Sequence, residues 1–178
     1  VTPVNSSKKY GTTDPNPLTT GTLSGFISGD AITASYTRTA GETVATYPIT
    51  AVLSPAGKLV NYNITYNPAS FAITKADITI KVVDTFIMEH APAPIFRLTT
   101  NIAGVTATGG TYTAKNSAGV VQNINNLNED TYTVTVANPV FTNSSSYNIT
   151  LLSGTLIANP DDDDNRKPII PKLDCIET

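Results

Sequence analysis

Apolar and polar side chains alternate along many short stretches of the chain. In the clearest of these, Tyr62, Ile64 and Tyr66 recur at every second position. A period of two is typical of a β-strand with one buried face, because successive side chains of a strand point to opposite faces. The same alternation predicts strands through Phe71 and Ile73; Ile78, Ile80 and Val82; Tyr132, Val134 and Val136; and Tyr147, Ile149 and Leu151.

Turn-forming clusters of Gly, Asn, Asp, Ser and Pro separate these stretches at intervals typical of β-sandwiches. The best candidate for a helical turn, Leu23 to Ala31, contains two glycines, and glycine weakens a helix interior. The pattern therefore predicts an all-β fold, with domains that are immunoglobulin-like sandwiches of about six or seven short strands. The alternative is a β-grasp-like unit that uses Leu23 to Ala31 as its one short helix.

An internal repeat indicates two modules. Thr46-Tyr47 recurs as Thr131-Tyr132, and Tyr62-Asn63-Ile64-Thr65 recurs as Tyr147-Asn148-Ile149-Thr150, both 85 positions later. Self-similarity at one fixed offset reports the number of modules before any fold is assumed. Each module is expected to end with a Thr-Tyr strand, a loop, a Tyr-Asn-Ile-Thr strand and a final strand, which covers residues 70–74 in the first module and 155–158 in the second.

The domain boundaries follow from the repeat and from a change in composition. Residues 1–76 are predicted to form the first β domain, and residues 77–158 a second, divergent one. Residues 159–178 are predicted to be a linker and the start of a truncated next module, because four consecutive Asp residues resist burial and the prolines after them favour extended chain. We expect the chain to be part of a longer precursor.

Composition excludes several functional classes. Charged residues make up 14% of the chain, well below the roughly 25% of an average soluble protein. The net charge of -3 is unsuited to a nucleic-acid binder, which needs a basic face. A single cysteine, Cys175, allows no disulfide within the chain. No apolar run approaches the roughly 20 residues that a membrane helix needs, so we expect no membrane insertion.

A series of motifs in residues 1–76 resembles one known family. It is similar to the MBG (mostly β, glycine-rich) domain of the YGX type. The motifs that carry the resemblance are Lys9-Tyr10-Gly11-Thr12-Thr13-Asp14-Pro15, Leu23-Ser24-Gly25, Ser28-Gly29-Asp30, Thr37-Arg38-Thr39-Ala40-Gly41-Glu42, Thr46-Tyr47 and Asn61-Tyr62-Asn63-Ile64-Thr65-Tyr66.

Residues 77–158 resemble the family less. They keep the two repeated strand motifs, but Glu89-His90-Ala91-Pro92 stands where Tyr-Gly-x-x-Asp-Pro is expected, and the Arg-x-x-Gly-Glu turn is missing. The resemblance implies a repeated unit of large secreted bacterial surface proteins, often predicted adhesins, without catalytic residues.

Few residues form a pattern that suggests catalysis. The single histidine, His90, follows Glu89 directly, and neighbouring side chains on a strand point to opposite faces, which disfavours a catalytic triad. Asp14, Asp30 and Glu42 lie in predicted turns, where carboxylates more often bond to their own backbone than act as paired acids. We therefore expect a protein that is not an enzyme.

A metal site is predicted to be absent, and no cofactor is expected. The weak candidates for calcium ligands are the consecutive carboxylates Asp161, Asp162, Asp163 and Asp164. Carboxylate oxygens suit Ca²⁺, but a run of adjacent Asp residues lacks the alternate spacing of a calcium-binding loop. A solvated acidic linker is the preferred interpretation.

The chain has eight tyrosines and no tryptophan. Tyr47, Tyr62, Tyr132 and Tyr147 belong to the repeat and are predicted to be core or corner residues. The remaining candidates for an exposed contact surface, to which tyrosine brings amphipathic contact area, are Tyr36, Tyr66 and Tyr112.

Together these features predict a structural stalk module of a large bacterial surface protein that contributes to cell adhesion from the extracellular surface. Its expected partners are the neighbouring domains of the same polypeptide. The alternative is an adhesin module that binds a host or environmental glycan or protein directly, through end loops or through strand addition at an exposed edge.

Overall fold

The computed structural model describes residues 1–161 of the chain. β-Strands dominate these residues, and the helical segments among them are short 3₁₀ turns at Ser28–Asp30, Ala56–Asn61 and Ser144–Ser146. The predicted all-β class is confirmed. No helix within residues 1–161 is long and apolar enough to cross a membrane.

The described strands are short, from two to nine residues. In chain order they are β1 (Thr2–Pro3), β2 (Ser6–Lys9), β3 (Gly21–Thr22), β4 (Thr33–Arg38), β5 (Thr46–Ser54), β6 (Ala69–Thr74), β7 (Ala76–Val82), β8 (Thr85–Met88), β9 (Leu98–Thr100), β10 (Thr111–Lys115), β11 (Val121–Gln122), β12 (Asp130–Ala137), β13 (Tyr147–Leu152) and β14 (Gly154–Asn159).

The chain divides into two compact units. Unit 1 consists of Val1–Ile78 with Asn143–Ile149, and unit 2 consists of Thr79–Thr142 with the described part of Thr150–Thr178. A single residue, Lys75, separates β6 from β7 along the chain. The predicted linker and truncated module after residue 161 lie outside the described residues.

Unit 1 contains a four-stranded sheet in the order β2-β6-β5-β4. β4, β5 and β6 pair antiparallel, and the edge strand β2 pairs parallel to β6. A separate pair joins β1 to β3. The inward face of the large sheet carries Ile49, Phe71 and Ile73, which are at most 8% exposed. The alternation of β6, in which Phe71 and Ile73 are buried, is the period of two that the sequence predicts.

Unit 2 contains a five-stranded sheet in the order β11-β10-β12-β14-β8. Its edge strand β8 pairs parallel to β14, and the other pairs are antiparallel. The buried residues that pack on this sheet are Val82, Ala114, Leu127, Tyr132, Val134, Val136, Leu156 and Ala158. A three-stranded sheet in the order β13-β7-β9 completes the described strands.

The two large sheets share one pairing scheme. In unit 1, β2 pairs parallel to β6, β6 pairs antiparallel to β5, and β5 pairs antiparallel to β4. In unit 2, β8, β14, β12 and β10 pair in the same way and in the same order. β6 and β14 correspond at the 85-residue offset of the repeat, whereas β2 and β8 correspond at an offset of 79. The repeat found in the sequence is therefore also a repeat of strand topology.

Two predicted elements differ from the structure. Leu23 to Ala31 forms only the 3₁₀ turn Ser28–Asp30, which ends at Ala31 with a left-handed φ of 49°. The strand predicted through Tyr62, Ile64 and Tyr66 is wrong, because this stretch has no strand assignment whereas its counterpart is β13.

The adjacent β1 explains the missing strand, because it is only two residues long. Next to it, Val1 donates to the Thr65 carbonyl at 2.8 Å and accepts from the Asn67 amide at 2.9 Å, and the Thr2 hydroxyl accepts from the Asn67 side chain at 2.8 Å. One such exchange is too short to make a ladder.

Candidate functional site

Four charged side chains of unit 1 form a closed set of ion pairs, which we call the ionic cluster. Lys8 lies on β2 and Arg38 ends β4, while Asp14 and Glu42 lie in the loops that follow these strands. Sheet pairing brings the two strands into the same sheet, so residues that are 34 positions apart in sequence come into contact. Asp14 comes from the Tyr-Gly-x-x-Asp-Pro motif, and the other acid comes from the Arg-x-x-Gly-Glu motif.

Both carboxylates of the ionic cluster bridge both cations. The Asp14 Oδ1 atom lies 2.7 Å from Lys8 Nζ, and its Oδ2 atom accepts from Arg38 Nε at 2.7 Å. The Glu42 Oε2 atom lies 2.5 Å from Lys8 Nζ, and its Oε1 atom lies 2.5 Å from Arg38 Nη2. The cluster therefore carries two positive and two negative charges and is neutral as a whole.

Arg38 satisfies all five of its N–H groups. Nε and Nη2 donate to Asp14, Nη2 also donates to Glu42, and Nη1 donates to the carbonyls of Thr39 and Gly41. Its side chain is 7% exposed, and its guanidinium carbon lies 4.9 Å from the centre of the Phe71 ring. The cation is thus held between the hydrophobic core and the loop carboxylates.

Gly41 is required by close packing. Its φ is 152°, a conformation that side-chain-bearing residues rarely adopt. A Cβ atom at this position would lie 2.3 Å from Cε1 of Tyr47. The glycine of the Arg-x-x-Gly-Glu motif therefore lets the loop carbonyl reach Arg38 while the tyrosine ring packs against the loop.

The ionic cluster holds its members in their charged forms. Hydrogen bonds from Arg38 and Lys8 lower the pKa of Asp14 to about 2. Hydrogen bonds from the same two cations, with Lys8 contributing most, lower the pKa of Glu42. Hydrogen bonds to Asp14 raise the pKa values of both Lys8 and Arg38 above their ordinary values. A carboxyl group that is already ionised and paired is poorly suited to donate a proton at neutral pH.

A second set of polar contacts in unit 1 surrounds Asp30. Its Oδ2 atom accepts from the Tyr62 hydroxyl at 2.5 Å, and its Oδ1 atom lies 3.2 Å from Lys58 Nζ. The hydrogen bond from Tyr62 is the main cause of the lowered pKa of this carboxyl. The Tyr62 ring also makes an edge contact with Phe26. Tyr62 thus ties the 3₁₀ turn to the stretch that lacks a strand.

The repeated Thr-Tyr motif forms the same contact in both units. The Tyr47 hydroxyl donates to the Thr43 carbonyl at 2.9 Å, and the Tyr132 hydroxyl donates to the Asn128 carbonyl at 2.8 Å. Each tyrosine lies near the start of its strand and bonds back to the backbone four residues upstream. The prediction of these two tyrosines as core or corner residues agrees with this placement.

The histidine lies in a turn. His90 has a left-handed φ of 58°, and its Nδ1 atom is 3.1 Å from Asn126 Oδ1. Its Nε2 atom is 3.8 Å from a carboxylate oxygen of Glu89. Within residues 1–161 the side-chain partners of His90 include no serine or cysteine.

The candidate calcium ligands fall largely outside the described residues. Asp161 is exposed, and its amide donates to Glu89 Oε1 at 3.2 Å. Asp162, Asp163, Asp164 and Cys175 lie beyond the described residues. Within residues 1–161, no group of three or more His, Cys, Asp or Glu side chains is arranged to hold a metal ion.

The three tyrosines predicted as a contact surface lie in different environments. Tyr66 is 52% exposed. Tyr36 is half-buried beside the core of unit 1, and its hydroxyl lies over Gly21. Tyr112, in unit 2, stacks on Phe96 with ring centres 4.7 Å apart, and burial raises its pKa.

Sequence reasoning singled out the two carboxylates of the ionic cluster but not its cations. The missed signal is Lys8, which occupies an inward position of a short polar strand, where its side chain is only 5% exposed. It also missed β8 as an edge strand, although its four residues Thr-Phe-Ile-Met contain no charge.

Residues 1–72 match the family model described as MBG domain (YGX type). The resemblance found in the sequence is therefore confirmed for this part of the chain, and the ionic cluster lies within it. The MBG domain is a family associated with cell-surface proteins. No curated protein matches the chain.

Proposed function

We propose that the chain is a non-enzymatic structural module of a large bacterial surface protein, located outside the cell, where it helps to hold an adhesive part away from the surface. The observation that carries the proposal is the shared pairing scheme of the two large sheets. Repetition of one fold along a chain is how extended proteins gain length, because each repeat needs to contact only its neighbours.

The short connection between the modules supports a spacer. Only Lys75 lies between the last strand of the first module and the first strand of the next. A connection of one residue has far fewer conformations than a flexible linker of Gly and Ser. We propose that the neighbouring domains of the same polypeptide are its main partners and that the junction resists bending.

The paired charges support a structural role for the motifs in residues 1–72. The four charged groups of the ionic cluster neutralise one another. The cleft of about 720 Å³ beside them is lined by Asp14, Arg38 and Glu42, all of which already have partners. Such a cleft offers a substrate neither a free acid nor a free base, which supports the proposal that the protein is not an enzyme.

An immunoglobulin-like arrangement is the fold we propose for each module. Its support is the pair of tyrosines, Tyr47 and Tyr132, whose hydroxyls bond back to the upstream backbone, since such a tyrosine corner is typical of these sandwiches.

The alternative function is direct binding of a glycan or protein. The observation that favours it is an edge strand, β8, whose outward residue Phe86 is 75% exposed. An uncovered edge strand can accept a further strand from another molecule. The two functions are compatible, since a spacer can also carry a contact surface.

The junction supplies the test of the spacer. We compare backbone ¹⁵N relaxation of the chain with that of a variant carrying about six Gly and Ser residues inserted after Lys75. The proposal predicts one common tumbling time for the two modules in the original chain and two shorter, separate times in the variant. Separate times already in the original chain would contradict a stiff spacer.

A further inference from the structure

The three-stranded sheet β13-β7-β9 has a shorter counterpart in unit 1. The pair of β1 and β3 corresponds to the pair of β7 and β9, since the offset of 79 that relates β2 to β8 also carries Pro3 onto Val82. The Tyr-Asn-Ile-Thr stretch that begins at Tyr62 corresponds to the start of β13. β7 has seven residues, whereas β1 has two. The repeated motif of unit 1 therefore lies beside a strand for only a small part of its length.

A groove of about 270 Å³ in unit 1 lies in line with β1. One wall is formed by residues 24–26, which follow β3, and the other by residues 62–65. Val1 and Thr2 line the end at which β1 starts. An extended segment in this groove would lie beside the repeated motif, as β7 lies beside β13.

The wall formed by residues 62–65 has unpaired ladder groups. Val1 donates to the Thr65 carbonyl and accepts from the Asn67 amide, which is the hydrogen-bond pattern of parallel strands. Continued by two residues, this pattern turns the Thr65 amide and the Asn63 carbonyl towards the groove. Neither group has a hydrogen-bond partner among residues 1–161. The wall can therefore extend its ladder by pairing with a further strand.

Side chains alternate along the same wall. Tyr62 and Ile64 are half-buried, whereas Asn63 and Thr65 are exposed. The Phe26 ring lies 4.9 Å from the Tyr62 ring and enlarges the apolar floor of the groove. A strand that pairs with this wall places every second side chain on that floor. The groove therefore suits an extended segment with apolar residues at alternate positions.

β7 shows the chemistry of such a segment. Every second residue of β7 is buried, beginning with Ala76 and Ile78. Val1 corresponds to Ile80 at the offset of 79, so the part of β7 without a counterpart in β1 consists of residues 76–79. Within that part, Ile78 corresponds to the position in the groove beside Ile64. Residues 76–79 are thus the pattern for a segment that fills the groove.

A polar contact indicates the same segment. Asn148, the repeat of Asn63, donates its side-chain amide to Asp77 Oδ1 at 3.0 Å. The Asn63 side chain has no hydrogen-bond partner within residues 1–161. An aspartate one residue before the apolar position of the segment would supply the missing acceptor.

We propose that the groove binds an extended strand with the side-chain pattern of residues 76–79, supplied by a further module of the same polypeptide. The source is argued from the junction at Lys75, where the chain leaves β6 and after one residue enters β7, beside β13. In strand addition of this kind, main-chain hydrogen bonds give affinity and alternate side chains give specificity. The inference rests on the proposed function only in taking the strand from the same polypeptide.

Hydrogen exchange of the Thr65 amide tests the groove. The whole chain is extended at its N-terminus by Lys-Ala-Asp-Ile-Thr, which copies residues 75–79, and exchange is followed by NMR. The extension is expected to slow exchange of the Thr65 amide about tenfold or more, because this amide gains a ladder partner. The Asn67 amide, which already donates to the Val1 carbonyl, should change less.

The matched control carries the same extension with Asp in place of Ile. The number of residues and the backbone groups are unchanged, but a charged side chain now lies beside Ile64. Covering a charge without a partner is costly, so the protection of the Thr65 amide should be lost.

Three results would overturn the proposal. Exchange at Thr65 that stays as fast in the extended chain as in the original would show that the groove binds no strand. Equal protection by both extensions would show that it does not select an apolar side chain. Protection in the original chain that rises with protein concentration would make a second copy the occupant. The relaxation test at Lys75 measures the stiffness of the junction alone, so the spacer and the groove can fail separately.

Discussion

Lys8 on β2 and Arg38 on β4 of unit 1 have counterparts in unit 2 that carry no charge. Lys8 pairs with Ile73. In unit 2, the residue 85 positions after Ile73 pairs with Ile87. Arg38 pairs with Ile49. In unit 2, the residue 85 positions after Ile49 pairs with Ala114. At the equivalent places in the two sheets, unit 1 buries two cations, whereas unit 2 has the buried Ala114 and the partly buried Ile87.

The ionic cluster of unit 1 and the apolar site of unit 2 differ in how strongly each side chain depends on its neighbours. Ala114 belongs to the apolar core of unit 2 and Ile87 packs against it, so burial alone stabilises each side chain. The ionic cluster must offset the loss of hydration of its charges through contacts among all four members. An apolar site therefore tolerates changes one residue at a time, whereas the ionic cluster is stable only when it is complete.

The largest expected effect is the loss of Arg38. Arg38→Ala leaves Asp14 and Glu42 with Lys8 as their only cation and removes the contact with Phe71, so unit 1 should lose about 3 kcal/mol of unfolding free energy. NMR-detected urea titration reads each unit separately, which matters because a chain of two units need not unfold in one step. Lys81→Ala, which breaks the exposed pair with Asp84, is the matched control and should cost about 0.5 kcal/mol or less. Equal losses in the two variants would contradict the account of the ionic cluster.

Replacing the whole ionic cluster sharpens the comparison. Lys8→Ile/Asp14→Ala/Arg38→Met/Glu42→Ala gives unit 1 an apolar site like that of unit 2. Apolar replacement of a complete buried ion set is often close to neutral, so this variant should be within about 2 kcal/mol of the original chain. It should also be more stable than Arg38→Ala alone in the same titration. A loss larger than that of the single variant would show that the four charges stabilise the unit on balance.

The tyrosine corners provide a contact that the two units share. Tyr132 is 3% exposed, whereas the hydroxyl of Tyr47 lies among exposed groups. Tyr132→Phe leaves the Asn128 carbonyl without its donor and should cost unit 2 about 1 kcal/mol, with a smaller loss for Tyr47→Phe in unit 1. Urea midpoints of the two units measure both losses, and a reversed order would mean that exposure does not set the value of this bond.

The smallest expected effect concerns acid. The pKa of Asp14 is about 2 in the folded chain, against an ordinary value of 3.8 in the unfolded chain. A lowered folded-state pKa stabilises unit 1 above about pH 4, and this contribution disappears as the pH falls from about 4 towards 2. The carboxyl is about one third exposed, so solvent screening reduces the contribution to on the order of 1 kcal/mol or less.

Urea midpoints at pH 5 and pH 2.5 measure this effect. Asp14→Asn should remove the part of the acid sensitivity of unit 1 that is due to the ionic cluster. Unit 2 serves as the internal reference, although hydrogen bonds from the Thr155 amide and Lys81 also lower the pKa of its exposed Asp84. If Asp14→Asn leaves the acid sensitivity of unit 1 unchanged, protonation of Asp14 is not a cause of that sensitivity.

Sequence periodicity predicted β6 and β12, in which alternate side chains are buried because one face of each strand packs on the core. It also predicted β13, although Ile149 and Leu151 are exposed there and Tyr147 alone is buried in that strand. The final strand β14 was predicted from the repeat. The edge strands β2 and β8 were missed because four residues are too few to show a period. The fixed offset of the repeat also fails for them, since unit 2 has six more residues than unit 1 between these strands and the final strands.

The ionic cluster was only half predicted for a different reason. Asp14 and Glu42 stand in recognisable turns, so the sequence draws attention to them. Their cations are 6 and 4 residues away at the nearest, yet contact between the two halves depends on the pairing of β2 and β4 within one sheet. Strand order in a sheet is set by tertiary packing, and no local pattern in the chain reports it.

Small-angle X-ray scattering of the whole chain, with and without calcium, tests the proposed spacer most directly. The account predicts an elongated particle whose maximum dimension is the same with 2 mM calcium as with a chelator, about the millimolar level at which extracellular calcium sites fill. A compact particle would contradict the spacer. A particle that lengthens or stiffens only with calcium would show instead that the junctions of this chain are set by the metal.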